Sequence, residues 1–322
     1  LLVASPESPQ GCRLSVVVPT YRAPDLAVSS VAGLLPVPSW AELLVVDDGS
    51  NDETAARVRE RFPQIEVIEL MKNRGFGGAV NAGFLRAHGR FLATLNNDAR
   101  GSWEGFARVV DVLDAKPTAG AAAPALVDDD GGSQRVAFSF PSPLPARLLR
   151  LLRAPGSERQ DEPYRTDYAK GACVVFRREA LEQVGLFDEQ YWMFAEEIDL
   201  FRRLAGAGWE TWVVPAATVE HSGGRTTRNH PDRRESSRYR QQSYRSICRY
   251  WAKHHSVAGA AVLRAELIAR VAARIVGATG AAAIGRGDRW WIGEHVRCLG
   301  VLLSHWPSEP KEPELPRRQG AS

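Results

Sequence analysis

Cysteine is scarce in this chain and stands in no pattern. The four residues, Cys12, Cys173, Cys248 and Cys298, are widely scattered with no CxxC pair. A disulfide framework and a cysteine metal site are therefore not expected; reduced thiols in a cytosolic protein are. Net charge is nearly absent too. A balance of +3 over 322 residues gives no whole-molecule attraction to nucleic acid, and no recognised nucleic-acid-binding motif is present. No uncharged apolar run reaches the roughly 18–20 residues that span a bilayer. The opening stretch LLVASPESPQG has no basic segment leading into an apolar one, so no secretory signal is expected. HExxH and GxSxG are missing, which leaves zinc-protease and serine-hydrolase readings unsupported. What remains is ordinary: 44% hydrophobic and 25% charged residues, enough to bury one large α/β domain plus an appendage.

Apolar runs of strand length alternate with helical stretches. Strands are expected at 13–20, 41–46, 65–70 and 91–95, and helices at 25–35, 53–62, 75–88 and 103–116. That rhythm implies βαβ units and a mainly parallel sheet. Asp47, Asp48 and Asp98 then fall at carboxyl ends of strands, where open α/β sheets place their ligands. Beyond 116 the rhythm breaks. Ala121–Ala137 is mixed, with a hairpin-like turn at 128–132, and 139–163 reads as a long loop or a short basic helix. Order resumes with a strand at 170–176, helices at 178–184 and 196–206, a strand at 209–214, and a polar loop at 218–226 carrying His221.

Three constellations carry chemistry. Asn96-Asn97-Asp98 ends a buried strand on side chains that either turn the chain or hold a divalent cation against a diphosphate. Lys72–Gly83 is glycine-rich, so its backbone can approach a ligand closely, with Arg74 as a donor fork for phosphate. It departs from the dinucleotide fingerprint, having valine (Val80) at the sixth place of Gly75–Val80. Glu196, Glu197 and Asp199 crowd a helix start beside Tyr191, Trp192 and Phe194. Such bulk raises a carboxyl pKa and suits a general base, while Asp199 and Arg203 make an i,i+4 pair.

In chain order, VVVPTYRAPDL, LLVVDDGSNDET, NRGFGGAVNAG, LNNDA, the stretch from Gly171 to Trp209 and VEHSGG resemble family 2 glycosyltransferases of the GT-A fold, in particular the bacterial rhamnosyltransferase subgroup. The resemblance runs from about Arg13 to Arg225. It implies a Rossmann-like, mainly parallel sheet and a metal-dependent, inverting transfer from a nucleotide sugar. By position, Tyr21 would stack on the base, with Pro19 and Thr20 lining its loop. Asp48, supported by Asp47, would bond the base. Arg74 and Asn81 would contact ribose or phosphates, with Asn97 beside them. Asp98 takes the last place of the metal motif, whose first aspartate is here Asn96, and His221 would complete the site for Mg2+ or Mn2+. Glu196 and Glu197 fall on the family's Glu-Asp pair, and either can serve as base. Gly171 and Ala172 would face donor sugar and acceptor, with Trp192 and Asp199 on the acceptor side.

Residues 226–306 read as a basic helical extension, dense in arginine from Arg225 to Lys253, with Tyr244, Ile247, Cys248 and Trp251 at helical spacing. That composition suits attraction to anionic lipid headgroups, and Trp290-Trp291 suits a membrane interface; packing against a second copy is the alternative. Residues 1–12 are expected to be flexible and 307–322 disordered. The expectation is thus an α/β GT-A domain (13–225) with a C-terminal helical extension, peripheral on the cytoplasmic face of the plasma membrane. Its donor would be dTDP-rhamnose, or alternatively a UDP-sugar, and its acceptor a polyprenyl-diphosphate-linked sugar or cell-surface glycan. A non-catalytic sugar-nucleotide or glycan-binding module on the same fold is the rival reading.

Overall fold

The structure, a computed structural model, describes residues 11–142, 161–222, 233–284, 286 and 288–304. These group into two compact units: 11–141, 161–187 and 196–222 form the first, and 142, 188–195 and the residues from Arg233 onward form the second.

The first unit is built on one sheet. β1 (Leu14–Thr20) is buried along its length because its branched side chains meet protein on both faces. It pairs in parallel with β2 (Ala41–Asp47), Thr20 opposite Asp47, and with β4 (Phe91–Leu95); β3 (Glu66–Glu69) extends the parallel set beyond β2. The intervening helices are α1 (Pro24–Ala32), α2 (Thr54–Arg61) and α3 (Gly75–Arg86). α3 lies close on the sheet, since a Cβ on Gly83 would come within 2.5 Å of a Val17 methyl. α4 (Trp103–Ala115) starts at Ser102, whose hydroxyl accepts from Gly105 N at 3.1 Å.

Past β4 the sheet is no longer purely parallel. After β5 (Ala99–Arg100) and β6 (Ala119–Val127) come the short strands β7 (Ser133–Gln134), β8 (Ala137–Phe138), β9 (Tyr164–Thr166) and β10 (Tyr168–Ala169). β11 (Cys173–Arg177) then inserts between β4 and β6, antiparallel to both. α5 (Arg178–Val184) and α6 (Glu196–Gly206) follow, and β12 (Glu210–His221) runs parallel to β6. The strand expected at 209–214 therefore continues, through an irregularity between Val214 and Thr218, as far as His221. His221 closes a strand and does not sit in a loop beyond one. Pairing with β6 and β5 holds that extra length, a tertiary gain that local pattern does not carry. The expected hairpin turn at 128–132 is present, joining β6 to antiparallel β7.

The second unit contains α7 (Arg233–His254), α8 (Val257–Ala283) and α9 (Trp290–Ser304). Tyr244, Cys248 and Trp251 of the expected stripe are buried. Many of its cations are engaged internally: Arg233 with Asp288 at 2.7 Å, Lys253 with Asp188 at 2.7 Å, and Arg240 and Arg297 around the fully buried Glu294. The tryptophans expected at a membrane interface carry arginines of this helix over their rings, Arg233 over Trp290 and Arg240 over Trp291, and Trp291 is nonetheless exposed. Arg264 of α8 caps α9, donating to the Leu302 and Leu303 carbonyls at 2.7 and 3.0 Å. Among the described residues no helix is long and apolar enough to cross a membrane. Residues 1–10 of the flexible N-terminus expected at 1–12, the disordered tail expected at 307–322, the basic stretch around 147–153 and Arg225 and Arg228 lie outside the described residues.

Candidate active site

Parallel pairing brings the carboxyl ends of β1, β2 and β4 to one edge. At the end of β2, Asp47 is buried and accepts from the Ser50 hydroxyl. Asp48 accepts from the backbone N–H groups of Arg74 (2.7 Å) and Gly75 (2.9 Å), where α3 begins. Burial pushes the Asp48 carboxyl up to about 7, against the pull of those two donors and of the Arg74 guanidinium. Gly49 permits the approach: its φ is +67°, and a Cβ there would stand 2.6 Å from the Lys72 carbonyl carbon. Pro19 and Thr20 are buried, and Tyr21 is half-buried with the Arg22 guanidinium 5.3 Å from its ring centre.

Asn96-Asn97-Asp98 is indeed a turn, closed by Ala99 N donating to Asn96 O at 3.0 Å. Its side chains also do more than turn the chain. Asn97 donates to Thr20 Oγ1 at 3.1 Å, tying the ends of β4 and β1 together. Asp98 is buried, and its Oδ1, accepting no hydrogen bond among the described residues, faces His221 Nε2 at 3.5 Å. The pairing of His221 with Ala99 across β12 and β5 brings them together. Gln134 sets the imidazole tautomer. Its amide nitrogen donates to the His221 carbonyl, so its Oε1 is the atom 3.0 Å from Nδ1; Lys170 Nζ, a donor, stands 3.3 Å from the same nitrogen, and with the shorter Gln134 contact taken as the hydrogen bond the proton lies on Nδ1. Nε2 then presents a lone pair toward a carboxylate oxygen, and burial keeps the ring neutral by pushing its pKa down. An imidazole nitrogen and a carboxyl oxygen facing each other in a buried site are the kinds of atom a divalent cation takes as ligands. No third His, Cys, Asp or Glu joins them among the described residues.

Because β11 is antiparallel to β4, its entry lies at this same edge. Ala172 O accepts from Asn96 N at 2.9 Å. A Cβ on neighbouring Gly171 would stand 3.7 Å from the Cβ of Glu197. From the other side, a Cβ on Gly77 of α3 would stand 3.9 Å from the Cβ of Glu196. The start of α6 is thus bracketed by the glycine-rich turn and by the loop that touches the Asn-Asn-Asp turn. Glu196 is buried, its Oε2 accepts no hydrogen bond among the described residues, and burial plus the charge of Glu197 hold its pKa well above the carboxylate range.

Two expected ligand contacts take other roles. Asn81 spends both ends of its amide on the backbone of Phe187, at 2.9 and 3.0 Å, because it faces inward from α3. It braces the chain leading toward α6. Asp199 is fully buried and pairs with Arg203 at 2.9 Å; that guanidinium also donates to the carbonyls of Val184, Gly185 and Leu186. It anchors the turn after α5 and does not open to an acceptor. Trp192 belongs to the second unit, stacked on Tyr239 with centroids 5.9 Å apart. Sequence reasoning missed Ser50, Gln134, Lys170 and Tyr168. Gln134 and Lys170 lie 87 and 51 residues from the histidine they orient, and no motif spacing marks them.

Residues 15–185, over half of the chain, match the model of glycosyl transferase family 2. The sequence is 30% identical to the N-acetylglucosaminyl-diphospho-decaprenol L-rhamnosyltransferase of Mycobacterium tuberculosis over 253 residues, 68% of this chain and 78% of the relative. It is 31% identical to the succinoglycan biosynthesis protein ExoO of Rhizobium meliloti over 215 residues, 63% of this chain and 59% of the relative. The fold is similar to that of the mannosyltransferase PcManGT of Pyrobaculum calidifontis, solved with GDP-Man and Mn2+, with a TM-score of 0.54, 20% identity and coverage of 93% and 88% of the two chains. It is also similar to GalNAc-T7 solved with UDP, GalNAc and Mn2+, with a TM-score of 0.54, 18% identity and coverage of 74% and 48%. At those identities the likeness speaks to the fold, which is GT-A with helices at the C-terminus.

Proposed function

This chain belongs to glycosyl transferase family 2, and from that premise we propose that it moves L-rhamnose from dTDP-rhamnose to a sugar carried on a polyprenyl diphosphate. The observation that carries the reading is the convergence of Asp48, the Asp98–His221 pair and the Glu196–Glu197 turn on one edge of the sheet. The Mycobacterium relative, whose name specifies an L-rhamnosyl group and a diphosphate-linked lipid acceptor, supports the choice of substrates.

In this reading Asp48 and Tyr21 hold the base, while Arg74 lies against the donor's diphosphate as a fixed positive charge. Asp98 and His221 would hold a divalent cation, which when bound would supply neutralisation of the leaving group. Glu196 keeps its proton, and Glu197, the member beside Gly171, takes the proton of the acceptor hydroxyl as that oxygen attacks the anomeric carbon. Oxygen–carbon bond formation and loss of the nucleoside diphosphate on the opposite face make one displacement, which inverts the anomeric centre. Since the acceptor is anchored by its lipid, we place the protein peripherally on the cytoplasmic face of the membrane.

A thermal-shift panel of nucleotide sugars with and without Mg2+ or Mn2+ tests the donor: dTDP-rhamnose should stabilise more than UDP-sugars, and more with metal. Glu197→Gln should keep dTDP binding and lose about 10²–10⁴-fold in kcat. Glu196→Gln replaces a protonated carboxyl by a near-isostere and should stay within about tenfold of the parent. A flat panel together with an active Glu197→Gln variant would sink the assignment.

A further inference from the structure

The outward face of α8 carries no charged side chain from one end to the other. Its 27 residues make a helix about 40 Å long, and Ala260, Leu263 and Val271 turn inward and are buried. On the opposite side Ala258, Val262, Ala265, Ala269, Ala273, Val276 and Gly280 follow one another at helical spacing, and every one is exposed. Val262 is 48% exposed and Val276 72%, and a Cβ on Gly280 would meet nothing within 4 Å. A helix face turned to water ordinarily holds charged and polar residues; a contiguous apolar one marks an interaction site. The ionised groups of α8 lie elsewhere. Arg264 is turned to α9, while Glu266 and Arg270 pair at 3.3 Å and Arg274 donates to the Tyr244 hydroxyl of α7 at 3.4 Å. These last three form one border of the face, the border beside α7.

The face reads alike in both directions. From Ala258 to Gly280 the order is Ala-Val-Ala-Ala-Ala-Val-Gly, with spacings symmetric about Ala269 and glycine replacing alanine only at the last place. Such a surface matches its own copy laid antiparallel, with a two-fold axis through Ala269. Val262 then falls beside the partner's Val276, and Ala265 beside the partner's Ala273. With nothing larger than valine on this line the two helices can approach to about 8 Å. A two-fold axis across the helix keeps each charged border on its own side. Glu266 of one copy comes between the partner's Arg270 and the partner's Arg274, about 3 Å along the axis from each at 1.5 Å rise per residue, so the borders attract. A parallel pair would put the borders on opposite sides and lose that attraction. Helices that lie in a lipid surface bury leucine, phenylalanine or tryptophan, and this face has none of them.

Independently of the chemistry assigned above, we propose that α8 is the interface of a homodimer, in which two copies of the chain pack this uncharged face antiparallel about Ala269. A face about 40 Å long and 10 Å wide buries on the order of 800 Å2 in all, the range of weak pairs. Association therefore belongs at micromolar concentration.

Sedimentation equilibrium of the full chain reads the association directly, and the parent should pass from monomer to dimer across the micromolar range. Ala269→Arg, an exposed site where the two-fold axis brings the new guanidiniums together, should raise the dissociation constant about tenfold or more. The melting temperature of the dilute monomer should not change. Glu266→Arg should weaken association, and adding Arg270→Glu and Arg274→Glu to it should restore the pairing. Single cysteines fix the register, with the parent as control for the native thiols. Under mild oxidation Ala269→Cys should cross-link two chains. Ala258→Cys, about 33 Å from its own copy in the antiparallel pair, should not, but mixed with Gly280→Cys it should. A chain that stays monomeric throughout, association untouched by Ala269→Arg, or self-linking of Ala258→Cys would each overturn the proposal. So would a monomer that co-sediments with phosphatidylcholine–phosphatidylglycerol vesicles and is released by Ala269→Glu, which gives the face to lipid.

Discussion

Replacing Asp199 by alanine separates two roles that the sequence leaves entangled. Its carboxylate is 0% exposed, and its partner Arg203 is 19% exposed and holds three backbone carbonyls between Val184 and Leu186. Removing one member of a buried ion pair strands the other, at about 3–5 kcal/mol. Arg203 retains its carbonyls and some water, so the lower end, about 3 kcal/mol, applies. For a unit of this size that is a fall in melting temperature of about 6–12 °C. The assay is thermal and urea unfolding, alongside donor and acceptor KM measured well below the transition. Asp199→Ala combined with Arg203→Met should recover part of the loss, because no charge is left buried alone. The reasoning fails if Asp199→Ala melts within about 2 °C of the parent while acceptor KM rises; Asp199 would then be a substrate contact after all.

Two further outcomes follow from the site. Asp48 accepts more strongly from a base N–H as a carboxylate than as a neutral carboxyl, and burial holds its pKa at about 7. Nucleotide affinity, measured by calorimetry between pH 5.5 and 8, should therefore weaken by up to about tenfold for each unit below 7 and rise to a plateau above it. Asp48→Asn should bind weakly at every pH, without that slope. For the cation, His221→Ala and Asp98→Asn should each shift the Mn2+ concentration giving half-maximal donor binding upward by about 10–100-fold, whereas Gln134→Ala, which releases the imidazole, should shift it less. Unchanged metal titrations in both ligand variants would move the cation elsewhere.

Residues near in the chain wrote most of the architecture. The buried strand ending at Leu95 and the helices Arg178–Val184 and Glu196–Gly206 are found at their expected limits, because apolar period, strand length and acidic helix starts are local signals. Asp48, Asp98, Glu196 and Glu197 were legible as candidates for the same reason: charged or amide side chains interrupt apolar runs there. Asn81 and Asp199 could not be read this way. A polar side chain in a motif looks alike whether it faces a ligand or a backbone carbonyl, and only burial tells the two apart. His221 needed more still. Its partner Asp98 is 123 residues away in number and adjacent only because β12 pairs with β5. The reversed insertion of β11 likewise decides that Gly171 meets Glu197 and Ala172 meets Asn96. Strand order and direction are settled by which faces exclude water together, a property of the whole sheet, so composition and spacing name the reacting groups while the packed sheet decides which of them meet.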